Sequence, residues 1–472
     1  MSKRNSTSLS TLDWVSFSLY LSLIGVGWLM IYTVGYGDGY TETGMDFVLK
    51  TSAGKQAIMI GISLVVFFLL TVIEWKFWRT VAFIIYGMTT SALIGVLLFG
   101  NTIKGATSWF NLPGGFSLQP SEFAKFGTAL ALSAFLSSYS SDLSNQKTRL
   151  SAIAILVMPV VLILLQPDAG SALIFFSFFL VLFREGMPVP PYIIGTVLFI
   201  LFLCTMLLGT SNTVIAVLML IIFFLISNLK TVTLYYYLGF VLFMAAMIAC
   251  QQYGFEIYAY GTSAVVLVGL SVYHWLYRQP RLGILSLSSA VVSVGVILSV
   301  NYAFNNILKP HQQDRLNVWL NPQKCDPQGS LYNVLQSKLA IGSGGFKGKG
   351  FLQGTMTKLN FVPEQSTDFI FCTIGEEQGF LGSLAIILLY TFFIFRFTML
   401  AERQRNDFSR MFIYCVAGIL FLHFFINIGM TMGLVPIIGI PLPFISYGGS
   451  SLLAFTIMVA IVMKLDSHRF SI

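Results

Sequence analysis

The stretch WVSFSLYLSLIGVGWLMIYTVGY, residues 14–36, contains no charged side chain. As a helix it is long enough to cross the ~30 Å hydrocarbon core of a bilayer. Similar runs recur along a chain that is 56% hydrophobic and only 10% charged. Because lipid offers no partners to backbone N–H and C=O groups, such runs cross a membrane as helices. The sequence therefore predicts an all-α polytopic membrane protein.

The apolar runs predict about fourteen transmembrane helices. The expected spans are 14–36, 56–73, 77–99, 119–137, 149–166, 167–184, 191–209, 211–229, 233–252, 258–277, 282–303, 368–395, 411–432 and 444–463. A long polar insert near 304–367 separates the eleventh span from the twelfth. The count depends on where each span ends, because proline and glycine break or shorten helices.

Lysine and arginine predict the orientation of the chain. With the N-terminus in the cytoplasm, the turns on that side hold most of the basic residues: Lys76, Arg79, Lys147, Arg149, Arg184, Lys230, Arg278, Arg281, Arg396, Arg403, Arg405, Arg410, Lys464 and Arg469. The opposite short turns hold Lys50, Lys55 and Lys104. This is the positive-inside pattern. Both termini are therefore expected in the cytoplasm and the insert outside, and the net charge of +8 reflects topology rather than nucleic-acid binding.

The spans and the insert suggest five segments. An N-terminal transmembrane core, 1–185, precedes a segment 186–281 whose helices have few polar residues and very short turns. We interpret 186–281 as an added, mostly structural bundle of unknown role. The span 282–303 leads into an extracytoplasmic loop, 304–367, and the C-terminal core is 368–472. The five cysteines and four histidines are dispersed, so neither a disulfide framework nor a zinc site is predicted.

Two of the predicted spans begin with a Gln-Pro pair followed by ionisable residues. In LQPSEFAK (118–125), Glu122 and Lys125 are three residues apart and can pair on one helix face. They form either a capping pair near the outer interface or the polar wall of a cavity, because ionisable groups in a bilayer usually face the protein interior. In LQPDAGSA (165–172), Asp168 is a typical N-cap. The repeated Gln-Pro pair alternatively suggests that both helix starts line one site.

The insert and the spans after it contain further candidates. The run SKLAIGSGGFKGKGFLQGT (337–355) is not a P-loop, because glycine follows the lysine of GKG. Its amides and lysines, including Lys338, suit an anionic group or simply a solvated loop. VPEQSTDFIF (362–371) contains more acidic and hydroxyl residues than one helix cap needs, namely Glu364, Thr367 and Asp368. PLPFISYGGSS (441–451), with Ser446, suits close helix packing equally well.

An outward-facing, basic, carboxylate-bearing site without a nucleotide or metal motif suits a donor that carries its own driving force. Lipid-linked sugar pyrophosphates are such donors, and glycosyl transfer from them requires a general base. Asp326, in NPQKCDPQGS (321–330), is the candidate. With an ordinary pKa of ~3.9 it is ionised but weakly basic, which suits late removal of a proton from an acceptor hydroxyl.

Several motifs resemble the SEDS family of integral-membrane peptidoglycan polymerases (RodA, FtsW and the sporulation homologue). They are QPSE, QPD, DPQGSLYNVLQSKLAIGSGG, VPEQSTDFIFCTIGEEQGF and the signature Asn427, Gly433, Pro436, Gly439 and FISYGGSS (444–451). The resemblance covers roughly 1–185 and 300–470, and the Gly- and Lys-rich run is closest to RodA. It implies ten family spans, so 186–281 supplies about four extra spans for which no counterpart in the family is evident.

The resemblance implies a peptidoglycan glycosyltransferase of cell elongation and rod shape. It would polymerise lipid II into glycan on the outer face of the bacterial cytoplasmic membrane and release undecaprenyl pyrophosphate. Asp326 would be the essential external-loop aspartate, and Glu122 and Lys125 would line the central cavity. Lys55 lies where the family has arginine, so it would contact phosphate as a single point charge.

The resemblance also implies partners: a class B penicillin-binding protein, other membrane proteins of the elongation complex, the nascent glycan and membrane lipid. No tightly bound cofactor is expected; a divalent cation, Mg²⁺ or Mn²⁺, could bridge the pyrophosphate and a carboxylate. Three alternatives stay open. They are a flippase for the same lipid-linked precursor, with Glu122 and Asp168 as coupling groups, a division polymerase like FtsW, and a scaffold that only recruits the transpeptidase.

Overall fold

The apolar runs form helices throughout the computed structural model, which describes residues 12–36, 44–103, 106–112, 116–138, 142–230, 233–325 and 329–469. Twelve of the described helices are long and apolar enough to cross a membrane. The all-α polytopic prediction is therefore confirmed. The predicted spans 119–137 and 167–184 correspond to shorter helices, so the count of fourteen stays a prediction.

The chain divides into two compact units, Met1–Pro188 with Asp326–Ile472, and Val189–Cys325. The helices of the first unit are α1 Trp14–Tyr36, α2 Met45–Lys50, α3 Ser52–Val72, α4 Trp75–Phe99, α5 Pro120–Leu136, α6 Gln146–Leu165, α7 Ala169–Ile174 and α8 Ser177–Arg184. After the second unit they continue as α15 Ser330–Ser343, α16 Thr355–Lys358, α17 Ile370–Glu402, α18 Asp407–Thr431 and α19 Gly449–Ser467.

The second unit contains α9 Pro190–Leu208, α10 Thr210–Ser227, α11 Leu234–Gln252, α12 Glu256–Tyr277, α13 Pro280–Tyr302 and α14 Pro310–Leu320, with a π-helix at Ala303–Ile307 and a 3₁₀ turn at Pro322–Lys324. Its core includes Ile222, Leu225, Leu267 and Ile297. The unit is longer than the predicted segment 186–281, because α13 and α14 belong to it. The start of the predicted loop is thus helical and belongs to this unit.

A small antiparallel sheet joins α4 to α5, in the order β1 (Asn101–Ile103), β2 (Ala106–Leu112), β3 (Phe116–Leu118). Phe110 pairs with Leu118 and Thr102 with Thr107. Hydropathy gave no signal for these strands, which are short and lie outside the apolar runs. The sheet matters for the site because β3 leads directly into α5.

The core of the first unit surrounds α5, whose residues are nearly all buried. Seven of its 17 residues are alanine, glycine or serine, and small residues allow close helix approach in membranes. Gly127 is one such position, since a β-carbon there would lie 2.3 Å from the Thr89 hydroxyl. Buried residues also predominate on α18 and α19. These three helices supply the framework on which the polar residues are arranged.

Close backbone contact also fixes α1. A β-carbon on Gly27 would lie 2.4 Å from the Phe444 carbonyl oxygen, whereas one on Gly25 would meet nothing within 4 Å. The helix therefore packs against the segment that precedes α19 through Gly27.

We expect Gly27→Ala to lower the stability of the protein by about 1–3 kcal/mol, since backbone atoms cannot move aside as a flexible side chain can. Gly25→Ala, on the exposed side of the same helix, should be neutral or slightly stabilising, because alanine is the better helix former. Thermal unfolding in detergent compares the two. Equal melting temperatures for both variants would contradict the contact.

A half-buried ion pair lies at the start of α1. Arg396 donates from Nε and Nη2 to the two carboxylate oxygens of Asp13, at 3.1 and 2.9 Å. Burial disfavours the charged carboxylate, but the bonds from Arg396 and Ser16 and the nearby arginine charges together hold the pKa of Asp13 below its ordinary value. The pair fastens the start of α1 to α17.

Replacing Asp13 with asparagine should lower stability at pH 7 by about 1–3 kcal/mol, as expected for hydrogen bonds to a charged group. Because the folded-state pKa is lowered, the pair contributes fully above the unfolded pKa of ~3.9, and its contribution is lost as pH falls through the folded pKa. Unfolding curves from neutral to acid pH should therefore converge for wild type and Asp13→Asn. Asp46→Asn, which removes an exposed pair with Lys50, is the control and should change little.

Candidate active site

A buried ionisable cluster lies between α5 and α18. Lys125 Nζ donates to Glu122 Oε1 at 2.8 Å and lies 2.8 Å from His423 Nε2. His423 Nδ1 lies 3.1 Å from the Pro441 carbonyl oxygen. If lysine is protonated, Nε2 must accept and Nδ1–H must donate, so the imidazole is neutral. All three side chains are at most 2% exposed. The predicted Glu122–Lys125 pair is therefore internal, and it does not cap the helix.

The two Gln-Pro helix starts lie next to each other. Asp168 caps α7 by accepting from the Ser171 backbone N–H at 3.0 Å and from its hydroxyl at 2.8 Å. Its carboxylate also accepts from Gln119 Nε2 at 3.1 Å. The hydroxyls of Ser121 and Ser171 are 3.3 Å apart. Asp168 is thus both a cap and the link between α5 and α7.

The segment between α18 and α19 is irregular but largely buried, and side chains from α18 satisfy its backbone. Asn427 Nδ2 donates to the carbonyls of Asp368 and Ile440, at 2.8 and 2.7 Å. Ser446 Oγ accepts from the Leu442 backbone N–H at 2.8 Å. These bonds attach the start of α17 to the segment before α19.

Two further contacts hold the segment before α19. Ser446 Oγ donates to the Thr367 carbonyl, and the Tyr447 backbone N–H donates to the Ser366 carbonyl at 2.9 Å. Near the other end, a β-carbon on Gly170 would lie 3.0 Å from the Ile438 carbonyl oxygen. Helix α7, the start of α17 and helix α18 thus converge on residues 438–447.

The remaining predicted residues lie around this framework. Glu364 is exposed and accepts from Thr367 Oγ1 at 3.0 Å. Lys55, half-buried, is on the first turn of α3. The exposed Lys338 is on α15, where its Nζ would be 2.5 Å from a β-carbon on Gly433. A β-carbon added to Gly439 would lie 3.2 Å from Asp368 Oδ2.

Asp326 lies outside the described residues, together with 327 and 328, so its geometry adds nothing to the prediction made for it. Its neighbour Cys325 is half-buried. Burial and the negative charge of Asp314 raise the pKa of the Cys325 thiol. This cysteine is therefore a protonated thiol and a poor nucleophile at neutral pH.

The Gly- and Lys-rich run is folded around an anion that the chain itself supplies. Glu376, on α17, accepts from Lys349 Nζ at 2.6 Å and from the backbone N–H groups of Met356 and Thr357, at 2.8 and 2.9 Å. The Thr357 hydroxyl adds a bond of 2.7 Å. Of the donors that the sequence suggested for an anionic ligand, Lys349 is therefore paired with Glu376.

Sequence reasoning missed His423 and Gln119 as partners of the predicted residues. His423 was one of four dispersed histidines, and its link to Lys125 spans 298 positions. The available signal was weak: a single imidazole on an otherwise apolar helix. Gln119 belongs to the repeated Gln-Pro pair that suggested a shared site, but its hydrogen bond to Asp168 was not predicted.

The chain is similar to known proteins over nearly its whole length. The cell cycle protein family FtsW/RodA/SpoVE matches residues 14–221 and 225–470. The peptidoglycan glycosyltransferase RodA of Treponema pallidum is 31% identical over 468 residues, which covers 98% of this chain and 99% of that protein. The family match also runs through much of 186–281, for which the sequence had suggested no counterpart.

Two solved structures share the fold. A chain from a peptidoglycan synthase complex, solved to show how polymerization and crosslinking are coordinated, superposes with a TM-score of 0.62 at 22% identity and covers 98% of this chain and 99% of its own. The crystal structure of the rod shape determining protein RodA from Thermus thermophilus has a TM-score of 0.55 at 21% identity, with 98% coverage of both chains. At these identities the likeness concerns the fold alone.

The contact between Lys125 and His423 predicts that replacing His423 lowers stability unless the new side chain can make both hydrogen bonds. His423→Leu leaves the Pro441 carbonyl unpaired and removes one partner of Lys125, and should lower stability by about 1–3 kcal/mol per unpaired buried group. His423→Gln is the matched control, because its amide can accept from the lysine and donate to the carbonyl. Thermal unfolding should show recovery in the glutamine variant. A leucine variant as stable as wild type would refute the bridge.

Proposed function

The chain belongs to the FtsW/RodA/SpoVE family, and on that premise we propose that it polymerises lipid II into peptidoglycan glycan strands for cell elongation. The proposal depends on 31% sequence identity to a peptidoglycan glycosyltransferase RodA over nearly the full length of both chains. The chain is thus a membrane-bound glycosyltransferase. Lipid II as donor and undecaprenyl pyrophosphate as leaving group are the finer parts of the proposal.

In the proposed reaction, an acceptor sugar hydroxyl attacks the anomeric carbon of the donor. A glycosidic C–O bond forms, and the bond between the anomeric carbon and the pyrophosphate oxygen breaks. The hydroxyl proton passes to the Asp326 carboxylate, and undecaprenyl pyrophosphate leaves with the electron pair. A general base contributes ~10²–10⁴-fold to such a step. The resemblance of the DPQGS segment to the family motif supports this role for Asp326.

We propose that the lysines have different electrostatic roles. Lys55 and Lys338 are accessible and suit the pyrophosphate. Lys125 is fully buried between Glu122 and His423. We therefore assign Lys125 and Glu122 to shaping the cavity wall, and not to direct phosphate binding.

We propose that polar residues on three elements complete the wall of this cavity: Asp168, Glu364, Thr367, Asp368 and Ser446. The divalent cation considered above needs a donor set. The described residues contain no cluster of three or more His, Cys, Asp or Glu side chains that could hold a metal ion. A carboxylate and the substrate pyrophosphate would have to share the coordination, and no step is derived through the ion.

The chain is a multi-pass membrane protein. We propose that it lies in the bacterial cytoplasmic membrane with both termini inside, as the positive-inside pattern supports. A class B penicillin-binding protein is the proposed partner, alongside other membrane proteins of the elongation complex. Support comes from the structural neighbour that belongs to a complex for polymerization and crosslinking.

A flippase for the same precursor is the rival proposal, and the buried Glu122–Lys125–His423 cluster favours it. Ionisable side chains inside a membrane protein often serve as coupling groups. The two functions differ in which carboxylate is essential. A flippase should keep most activity in Asp326→Ala and lose it in Glu122→Gln, whereas a polymerase should lose activity in Asp326→Ala. A division polymerase like FtsW would share the chemistry and differ in its transpeptidase partner.

We expect the solubilised protein, fused to its penicillin-binding partner, to polymerise purified lipid II. Asp326→Asn should reduce the rate by at least about 10²-fold, because asparagine cannot accept the proton. Gel separation of labelled glycan measures the product. Asp314→Asn, an acidic neighbour in sequence, is the control and should stay active.

Binding of the penicillin-binding partner is measured in parallel, so that a scaffold role can be recognised. Equal glycan from wild type and Asp326→Asn would remove Asp326 from catalysis. Lipid II movement across vesicles, without glycan from either protein, would favour the flippase.

A further inference from the structure

We propose that a pocket between α1, the start of α3 and the loop before α17 binds one N-acetylated sugar ring of the glycan substrate. The pocket has a volume of about 270 Å³. It is lined by Ile31 and Val34 of α1, by Ser52 of α3, and by residues 360 and 362–366 of the loop. The inference rests on the proposed function and assigns a binding subsite to it.

The pocket has the chemistry of a sugar site. Its lining combines apolar side chains, such as Ile31 and Val362, with amide, hydroxyl and carboxylate groups from Asn360, Ser366 and Glu364. A pyranose ring likewise presents an apolar face and a rim of hydroxyl groups. Among the described residues no lysine or arginine lines the pocket, so a pyrophosphate would find a carboxylate instead of a cation. Neutral hydroxyl and acetamido donors fit this lining best.

Gln365 has a hydrogen-bond acceptor that no donor among the described residues reaches. The side chain is 4% exposed. Its Nε2 donates to the Thr357 carbonyl at 2.9 Å and to the Asn360 amide oxygen. Both partners are acceptors, so the amide orientation is fixed. Its Oε1 is buried and has no hydrogen-bond partner among the described residues. Buried polar atoms are normally paired, so the loop that lines the pocket leaves one hydrogen-bonding group unsatisfied.

The loop that forms the polar wall holds an uncommon backbone shape. Asn360 and Glu364 have φ of 52° and 58°, in the left-handed region that a glutamate seldom adopts. Such conformations persist where the surroundings impose them, often at ligand sites. Here the Ser366 carbonyl accepts from the Tyr447 N–H, and Ser446 bonds to Thr367. These bonds hold the loop that lines the pocket to the segment before α19, so the pocket is preformed.

The test blocks the pocket from an exposed position. Ser52→Trp places an indole at its rim, and Ser52→Ala leaves the rim open. The probe is a peptide-free oligosaccharide of alternating N-acetylglucosamine and N-acetylmuramic acid, titrated onto the full-length protein in nanodiscs and followed by saturation-transfer NMR. Wild type and Ser52→Ala should bind alike. Ser52→Trp should bind at least about tenfold more weakly, at an unchanged melting temperature.

Glu364→Gln gives an independent measurement if Ser52→Trp does not fold. It keeps the side-chain shape and should weaken binding about threefold or more, because a charged acceptor is replaced by a neutral one. Absence of binding to wild type, or equal binding by all variants, would overturn the proposal. Binding of a free stem peptide through its ammonium groups, with no binding of the oligosaccharide, would also overturn it.

Polymerisation of lipid II separates this inference from the proposed function. If wild type polymerises and Ser52→Trp gives shorter glycan than Ser52→Ala, the polymerase function and the sugar site are both supported. If wild type polymerises and all variants bind the oligosaccharide equally, only the pocket assignment fails. If wild type makes no glycan but Ser52→Trp still abolishes oligosaccharide binding, the saccharide site stands and the polymerase function falls.

Discussion

The irregular backbone between α18 and α19 sets the constraint on which the first unit depends. Residues 435–448 are largely buried without forming a helix, and unpaired backbone groups are costly where water is excluded. Side chains therefore have to supply the missing partners. Asn427 donates to the Ile440 carbonyl, His423 pairs with the Pro441 carbonyl, and Ser446 Oγ accepts from the Leu442 N–H.

The same bonds that satisfy this backbone also organise the candidate site. His423 faces the segment through one ring nitrogen and Lys125 through the other, so the position of the lysine on α5 depends on a carbonyl beyond α18. Asn427 joins the start of α17 to the same segment. A rigid support of this kind suits transfer chemistry, which needs reacting groups held in a fixed geometry. The Gly- and Lys-rich run gains comparable rigidity from Glu376, an internal anion that pairs with Lys349 and with the Met356 and Thr357 amides just beyond the run.

Much of the fold could be predicted because its causes are local. Hydropathy over a helix length locates spans, and a spacing of three residues places Glu122 and Lys125 on one face whatever the tertiary structure. An aspartate before a helix start caps it, as Asp168 does. The small sheet between α4 and α5 escaped prediction because its strands are short. The boundaries of the second unit were not predicted either, because its extension through α14 depends on packing.

The sequence by itself determined the membrane-spanning helices, the family motifs and the local pairs. Only the tertiary structure decided which helix faces meet. Lipid and protein interior are similarly apolar, so hydropathy cannot specify the rotation of a buried helix. The contacts of Lys125 with His423 and of Glu376 with Lys349 therefore had no sequence signature, whereas the repeated Gln-Pro pair suggested that the helix starts at Gln119 and Asp168 line one site. They arise because each buried polar group must find a partner, and the nearest partner lies on a helix distant in sequence.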